Sequence, residues 1–253
     1  HHAAFLGGRF DTYIRDSRIV MDVLREISTS VEPLSLDEAY VDLGPRTFDY
    51  VEMSELASDL REQIYAATGG LTASMGVAQN KLLAKIGSEL NKPDGFFIVS
   101  PGTEMAVLDP LPVRALPGIG PAAETRLQHV GVTHVKHARG FERSELQAIL
   151  GDAAGASLYD MVRARDSREV QPHRMRKSIS IEDTFAQDIH DSERIKSELS
   201  NLVDRLVIRM SRQGISGRTV SVKLRDSTFS TTSKSFTLDT ATHSNEVITA
   251  TAL

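Results

Sequence analysis

The sequence predicts an α+β multidomain protein, and three observations carry that expectation. Helix-period and strand-period stretches are mixed through residues 1–100. Residues 103–165 hold short helical runs broken by glycine and proline, with no convincing strand. After a cationic stretch at 163–177, strand-like alternation returns on both sides of one long amphipathic helix.

The elements follow in order from local pattern. Apolar residues at Phe10, Tyr13, Ile14, Val20, Met21, Leu24 and Ile27 fall on one helical face, so a helix is expected over 10–27. The stretch 31–43 reads as two short strands, interrupted at Pro33 and closed by Gly44-Pro45. Leu56, Leu60 and Ile64 lie four apart in a helix expected over 52–68, which Gly69-Gly70 stops. Leu71, Ala73, Met75 and Val77 alternate with small or polar residues as a half-buried strand. Asn80 caps a helix carrying Lys81, Lys85 and Lys92, which Pro93-Asp94-Gly95 ends as a turn. "FFIV" at 96–99 reads as a buried strand. The run at 163–177 has six cationic residues, little apolar content and the texture of a linker. Beyond it, strands are expected at 178–185, 218–226 and 234–240, with a helix over 191–213 and the start of another at 245–253.

Composition sets bounds on the class. Hydrophobic residues make up 40% and charged residues 25% of 253, ordinary for a globular protein. No apolar run approaches the roughly 20 residues that span a bilayer, no secretory leader pattern opens the chain, and no membrane partner is expected. The absence of cysteine excludes disulfides and thiolate metal sites and agrees with a cytoplasmic setting. His1 and His2 carry no weight in the reading. A net charge of −5 excludes a wholly basic binder but not a locally basic groove.

Four stretches carry chemistry. In "VEPLSLDEAYVDLGP", Asp37 and Glu38 sit side by side at the bend of a hairpin. Strand alternation would send them to opposite faces, but at a bend both can lean to one spot. Two carboxylates there repel unless a cation lies between them, and hard oxygen ligands suit Mg²⁺; the plainer alternative is a solvated polar turn. Lys81 and Lys85 share a helical face, on a helix that is either solvated or phosphate-binding. Lys92 is the stronger phosphate candidate, because Pro93-Asp94-Gly95 fixes its place, and Lys85 is the weaker one. In "LPGIGP", Gly118, Ile119 and Gly120 can form a backbone nest for an anion ahead of a helix begun by Pro121, or a structural turn with Ile119 in the core. This is similar to a helix-hairpin-helix, which grips a DNA phosphate without reading bases. The cationic run, with Arg174 and Arg176, offers phosphate contacts, as do Lys223 and Arg225 in "RTVSVKLRD", opposite an apolar row of Val220, Val222 and Leu224.

"SLDEAYVDL" followed by "ASMGVAQNKLLAKIGSELNKPDG" resembles the Y-family DNA polymerases, the translesion enzymes, closest to the DinB-type branch. The family's Ser-(Ile/Leu)-Asp-Glu-Ala-(Tyr/Phe)-Leu-Asp run corresponds to Ser35–Asp42. Its Gly-hydrophobic-(Ala/Ser)-x-Asn-Lys-x-x-Ala-Lys run, ending in Lys-Pro-(Asp/Asn)-Gly, corresponds to Gly76–Gly95. The resemblance implies a partial palm over 1–100, built on an antiparallel sheet with helices. It further implies a helical thumb with the hairpin motif over 101–165, a basic linker over 166–176 and an incomplete α/β little finger over 177–253. It implies a DNA-directed DNA polymerase using two Mg²⁺ ions, with Asp37 bridging both and Glu38 helping to hold the one that activates the primer 3′-hydroxyl. Lys92 would contact the triphosphate of the incoming dNTP. Primer-template DNA is the expected partner, and the sliding clamp is added on the resemblance alone. The family's opening Asp-x-Asp strand, its aromatic gate and the fingers have no counterpart in this sequence. The chain alone is therefore expected to lack proper catalysis, and a non-catalytic DNA-binding scaffold is the alternative.

Overall fold

A computed structural model describes residues 6–45, 47–173 and 176–253. The chain forms two compact units that divide after residue 174. No helix among the described residues is long and apolar enough to cross a membrane.

The first unit opens with helix α1 (Phe10–Ile27), on the bounds its apolar period indicates, and buries Met21, Val23 and Leu24. Strands β1 (Val31–Pro33) and β2 (Ala39–Val41) pair antiparallel, with Val31 opposite Val41 and Pro33 opposite Ala39. Helix α2 (Tyr50–Thr68) starts where Asp49 accepts a hydrogen bond from the Glu52 N–H and ends at Gly69 in the left-handed conformation. Met21, Val23 and Leu24 of α1, Val31 of β1, and Leu60 and Ile64 of α2 form one buried cluster.

Strand β3 (Met75–Val77) is shorter than the alternation from Leu71 suggests. It pairs only where β4 (Phe96–Ile98) lies opposite, and Leu71 is left exposed. This second pair is parallel rather than antiparallel, because helix α3 (Lys81–Leu90) carries the chain back across it. Gly76 is required by that crossover: a Cβ on it would lie 1.9 Å from the Ala84 carbonyl oxygen of α3.

Five short helices follow: α4 (Glu104–Leu108), α5 (Pro121–His129), α6 (Val135–Arg139), α7 (Arg143–Leu150) and α8 (Asp152–Met161). Leu82, Leu83, Ile86 and Val99 pack into one continuous core with Leu108, Leu116, Leu127, Leu146 and Leu158 of this helical part. The lysine helix α3 therefore stands on the largest core of the molecule.

The second unit is thinner. Helix α9 (Ser192–Gln213), hairpin strands β5 (Gly217–Arg225) and β6 (Thr231–Thr242), and helix α10 (Asn245–Ala252) surround a small cluster of Val203, Met210 and Ile248. The strand expected at 178–185 is absent; those residues have no regular structure. Their alternation is used in docking on α9 instead. Ile179 packs on the cluster, the Ser180 carbonyl accepts from Arg209, and Asp183 pairs with Arg205 at 2.9 Å.

Candidate active site

The loop between β1 and β2 carries the acidic pair. The N–H groups of Leu34 and Ser35 donate to the Glu38 carbonyl at 2.8 and 3.3 Å, which reverses the chain there. Ser35 Oγ donates to Asp37 Oδ1 at 2.6 Å and accepts from the Asp37 N–H at 3.3 Å, so the serine of the motif fixes the aspartate. Asp37 is exposed and Glu38 half-buried. Glu38 Oε1 pairs with the Lys85 ammonium. Asp37 Oδ2 and Glu38 Oε2 stay uncommitted among the described residues.

The lysines on and just after helix α3 have three different tasks. Asn80 Oδ1 accepts from the Leu83 N–H at 3.0 Å and caps the helix. Lys81 is not solvated, against one of the two expectations for it, but is 8% exposed. Its Nζ donates to Glu32 Oε2 at 2.5 Å and to the Glu169 carbonyl at 3.2 Å, and lies 4.8 Å from the centre of the Tyr40 ring. Burial pushes the Tyr40 hydroxyl above its ordinary pKa. Lys85, one turn on, reaches Glu38 and lies 3.7 Å from Glu89 Oε1. Burial opposes its charge, but the hydrogen bond and charge of Glu38, with Glu89 behind, outweigh that and raise its pKa. Lys92, expected on the same helix, instead lies beyond its last residue, Leu90, because the chain leaves the helix at Asn91 ahead of the Pro93 turn; its exposed ammonium binds Glu89 Oε1 at 2.8 Å. That hydrogen bond holds the Glu89 carboxyl below its ordinary pKa, with Lys85 adding to the effect.

Arg61 of α2 fixes the turn after Lys92. Its Nε donates to the Ala73 carbonyl at 3.2 Å, and a terminal nitrogen donates to the Asp94 carbonyl and, at 2.6 Å, to Asp94 Oδ1. Nothing in the sequence marks Arg61, because a cationic residue on an amphipathic helix carries no sign of a distant partner.

The cationic run is not a free, solvated segment over its first half. The Ala164 carbonyl accepts from Asn80 Nδ2 at 2.9 Å. Asp166 Oδ2 accepts from the Leu82 N–H at 2.9 Å, at the start of α3, and Asp166 is clasped by Arg168 at 2.7 and 2.8 Å. The Arg168 hydrogen bond holds the Asp166 carboxyl below its ordinary pKa. Further along, the Gln171 N–H donates to Glu32 Oε2 at 2.7 Å. The reason is charge matching: the helix N-terminus takes a carboxylate and the buried Glu32–Lys81 pair takes the backbone. Glu32 and Asp166 were hidden inside a strand and a charge run, and no spacing rule marks them.

In "LPGIGP" the Ile119 N–H donates to the Leu116 carbonyl at 3.1 Å, and Ile119 is 6% exposed, so it belongs to the core. The expected nest is correspondingly narrower. Gly118 adopts φ 87°, open to glycine, and Gly120 precedes α5, whose first-turn N–H groups have no intrahelical acceptor. Arg114, another residue the sequence did not single out, donates to the Ile119 carbonyl at 2.5 Å and braces the loop.

In the second unit, Ser221 faces Ser235 and Lys223 faces Ser233 across the hairpin, and Arg225 faces Thr231. Hydroxyl pairs at Thr219–Thr237 (3.0 Å) and Ser221–Ser235 (2.7 Å) tie this row together. Arg225 Nε donates to Thr231 Oγ1 at 3.1 Å, while Lys223 is exposed. Of the opposite row only Val220 packs against the core cluster. Arg176 binds Gln213 at 2.6 Å; Arg174 lies outside the described residues.

The acidic pair fits a hard divalent ion in donor type, since each side chain keeps one oxygen uncommitted and such ions take few carboxylates. Among the described residues no group of three acidic or histidine side chains is placed to hold a metal. Asp37 and Glu38 thus form part of a donor set, with a lysine on one of them.

The profile of the impB/mucB/samB family matches residues 1–89, and that of its C-terminal domain matches 176–253. Between them, the profile described as "DNA polymerase-iota, thumb domain" matches 114–166. DNA polymerase IV of Streptomyces coelicolor is 48% identical over 240 residues, covering 94% of this chain and 50% of that protein. DNA polymerase IV of Halorhodospira halophila is 40% identical over 227 residues, covering 90% and 63%. The chain thus spans half to just under two thirds of the length of these relatives. Among solved structures, a Y-family DNA polymerase chimera superposes with a TM-score of 0.83 at 24% identity, covering 96% of this chain and 70% of that one. DinB from Sulfolobus solfataricus gives 0.63 at 22% identity, covering 99% and 72%. The palm, thumb and little-finger fold is shared with both.

Proposed function

The chain belongs to the impB/mucB/samB family of DinB-type Y-family polymerases, and from that premise we propose that it serves template-directed transfer of a nucleotide from dNTP to a primer 3′-hydroxyl during damage bypass. The observation that carries this reading is the ion-pair string from Glu38, which follows Asp37 in the loop, through Lys85 and Glu89 to Lys92.

Asp37 and Glu38 supply the carboxylate oxygens for divalent ions, for which Mg²⁺ is the proposed species. Such ions, when bound, stabilise charge on the reacting phosphoryl oxygens. The residues of the chain do the rest. Ser35 holds the Asp37 carboxylate by one oxygen and leaves the other available. Lys92, free to leave an exposed carboxylate, binds the triphosphate and offsets charge on the departing pyrophosphate. The Gly118–Gly120 loop offers backbone N–H groups to a phosphate of the duplex, and Lys223, Arg225 and Arg176 add contacts that carry no sequence choice. Primer-template DNA and dNTP are thus the proposed substrates, with the sliding clamp and a cytoplasmic location following from family likeness.

Primer extension by the polymerase that carries this sequence tests the reading. Asp37→Ala is expected to lower the extension rate by about a hundredfold or more while DNA affinity stays within about twofold. Extension near the parent rate defeats the assignment. Equal and undiminished DNA binding without any extension by the parent favours a DNA-binding scaffold built on the helix-hairpin-helix.

A further inference from the structure

Lys85 and Lys92 approach the same oxygen of Glu89: Lys92 Nζ binds Oε1 at 2.8 Å, and Lys85 Nζ lies 3.7 Å from it while paired with Glu38. The four side chains form an alternating string, Glu38–Lys85–Glu89–Lys92, running from the proposed metal loop to the proposed triphosphate lysine. All four are partly exposed, so none is locked in place by burial.

We propose that this string is an exchange relay, in which a cation at Glu38 sends Lys85 to Glu89 and thereby releases Lys92 for the nucleotide. It rests on Asp37 and Glu38 being the ion-binding pair, the reading given above.

The exchange is electrostatic and steric. With Lys85 on Glu38 Oε1 and a divalent cation on Oε2, the two positive charges repel across one carboxylate, and the cation of higher charge holds it at close range. Lys85 has its next acceptor already in reach, since a movement of about 1 Å brings 3.7 Å to hydrogen-bond distance. Its arrival puts two ammonium groups on a single oxygen, and their repulsion weakens the hold of Glu89 on Lys92. Lys92 stands outside α3 and is the more exposed of the two, so it is the one that leaves. Before ion binding, Glu89 keeps Lys92 occupied and the triphosphate site closed. Lys85 is then a positioning residue acting through Glu89, and ion and nucleotide binding are positively linked without any movement of the backbone.

The test uses Mn²⁺ alone, followed by electron paramagnetic resonance of the free ion, and the Lys92 Cε resonance of protein labelled with ¹³C-lysine during a Mg²⁺ titration without nucleotide. Lys85→Gln removes the competing ammonium and is expected to tighten Mn²⁺ binding about two- to fivefold, the size of a partly exposed ion pair. In the parent, the Lys92 resonance is expected to move with the same midpoint as ion binding, and Glu89→Gln is expected to abolish that movement. Mn²⁺ binding that weakens or stays unchanged in Lys85→Gln overturns the relay, because Lys85 would then only be holding Glu38 in position. A Lys92 resonance that stays still while the ion site fills overturns it equally. Asp37→Asn keeps the underlying reading separate: if that variant binds Mn²⁺ as the parent does, the carboxylate pair is not the ion site, and the relay falls with it.

Discussion

The two units use charge in opposite ways. In the first, Glu32 and Lys81 are 6% and 8% exposed, and the helix that bears Lys81 rests on Leu82 and Leu83, each 1% exposed. In the second, cationic side chains stand on a two-stranded hairpin, and Leu224 and Phe236 beside them are 53% and 60% exposed. Under the proposed function the difference has a reason: a unit that places a few atoms accurately surrounds them with a core and secondary hydrogen bonds, whereas one that lies along a repeating surface needs only a row of side chains at strand spacing. The contrast predicts large, localised penalties in the first unit and small, distributed ones in the second.

The strongest break comes from the buried pair. Glu32→Ala leaves the Lys81 ammonium buried beside the Tyr40 ring and frees the Gln171 N–H. Loss of one partner of a buried pair costs about 3–5 kcal/mol, to be read as a lower urea midpoint for the first unit. The same change at Asp183, whose pair with Arg205 is about half exposed, is expected to leave the midpoint of the second unit in place. Equal shifts from the two substitutions would erase the distinction.

A smaller loss is expected from Gly76→Ala. The added methyl meets the Ala84 carbonyl at 1.9 Å, a backbone atom that cannot turn aside, so α3 must move off β3. Overpacking of this sort costs about 1–3 kcal/mol. Because Lys85 directly follows Ala84, the variant is also expected to loosen the Lys85–Glu38 contact, visible as a Lys85 pKa that moves back toward its ordinary value.

Acid stability gives a further test of the first unit. Asp166 has its pKa lowered by Arg168 in the folded state, so the unfolded chain binds its proton more readily. Its contribution is complete above the ordinary aspartate pKa and disappears as pH falls through the lower folded value. Asp166→Asn is expected to flatten the acid limb of the first unit's stability curve; an unchanged limb would mean the clasp at α3 adds nothing.

These contrasts were only partly legible in the sequence. Helix α1 falls on the bounds its apolar period marks, and the acidic loop and the Asn80 cap stand where the motif puts them. Periodicity reports which face of an element is apolar, but not what a polar side chain on that face will meet. Neither a solvated nor a phosphate-binding Lys81 anticipates its buried partner, because Glu32 is 49 residues away and Gln171 lies 139 residues from Glu32. Arg61 reaches Asp94 across 33 residues for the same reason. The strand expected at 178–185 failed in a related way, since alternation marks a half-buried segment whether it pairs in a sheet or docks on a helix such as α9.

The smallest expected effect on stability is the most informative about the second unit. Lys223 is exposed on β5, opposite Ser233, and takes part in no ion pair among the described residues. Its removal as Lys223→Ala therefore changes folding stability by less than about 0.5 kcal/mol. If the hydroxyl-and-cation row faces a phosphate backbone, the same variant releases about one counterion fewer, and the slope of log affinity against log salt falls by about 0.9. Sequence preference stays as it was, since a phosphate contact reads no base. Arg225 shares its face but is partly spent on Thr231, so Arg225→Ala should lower the slope less than Lys223→Ala. The order of those two slopes, with stability unmoved in both, distinguishes a surface kept free for a polyanion from one that is merely solvated.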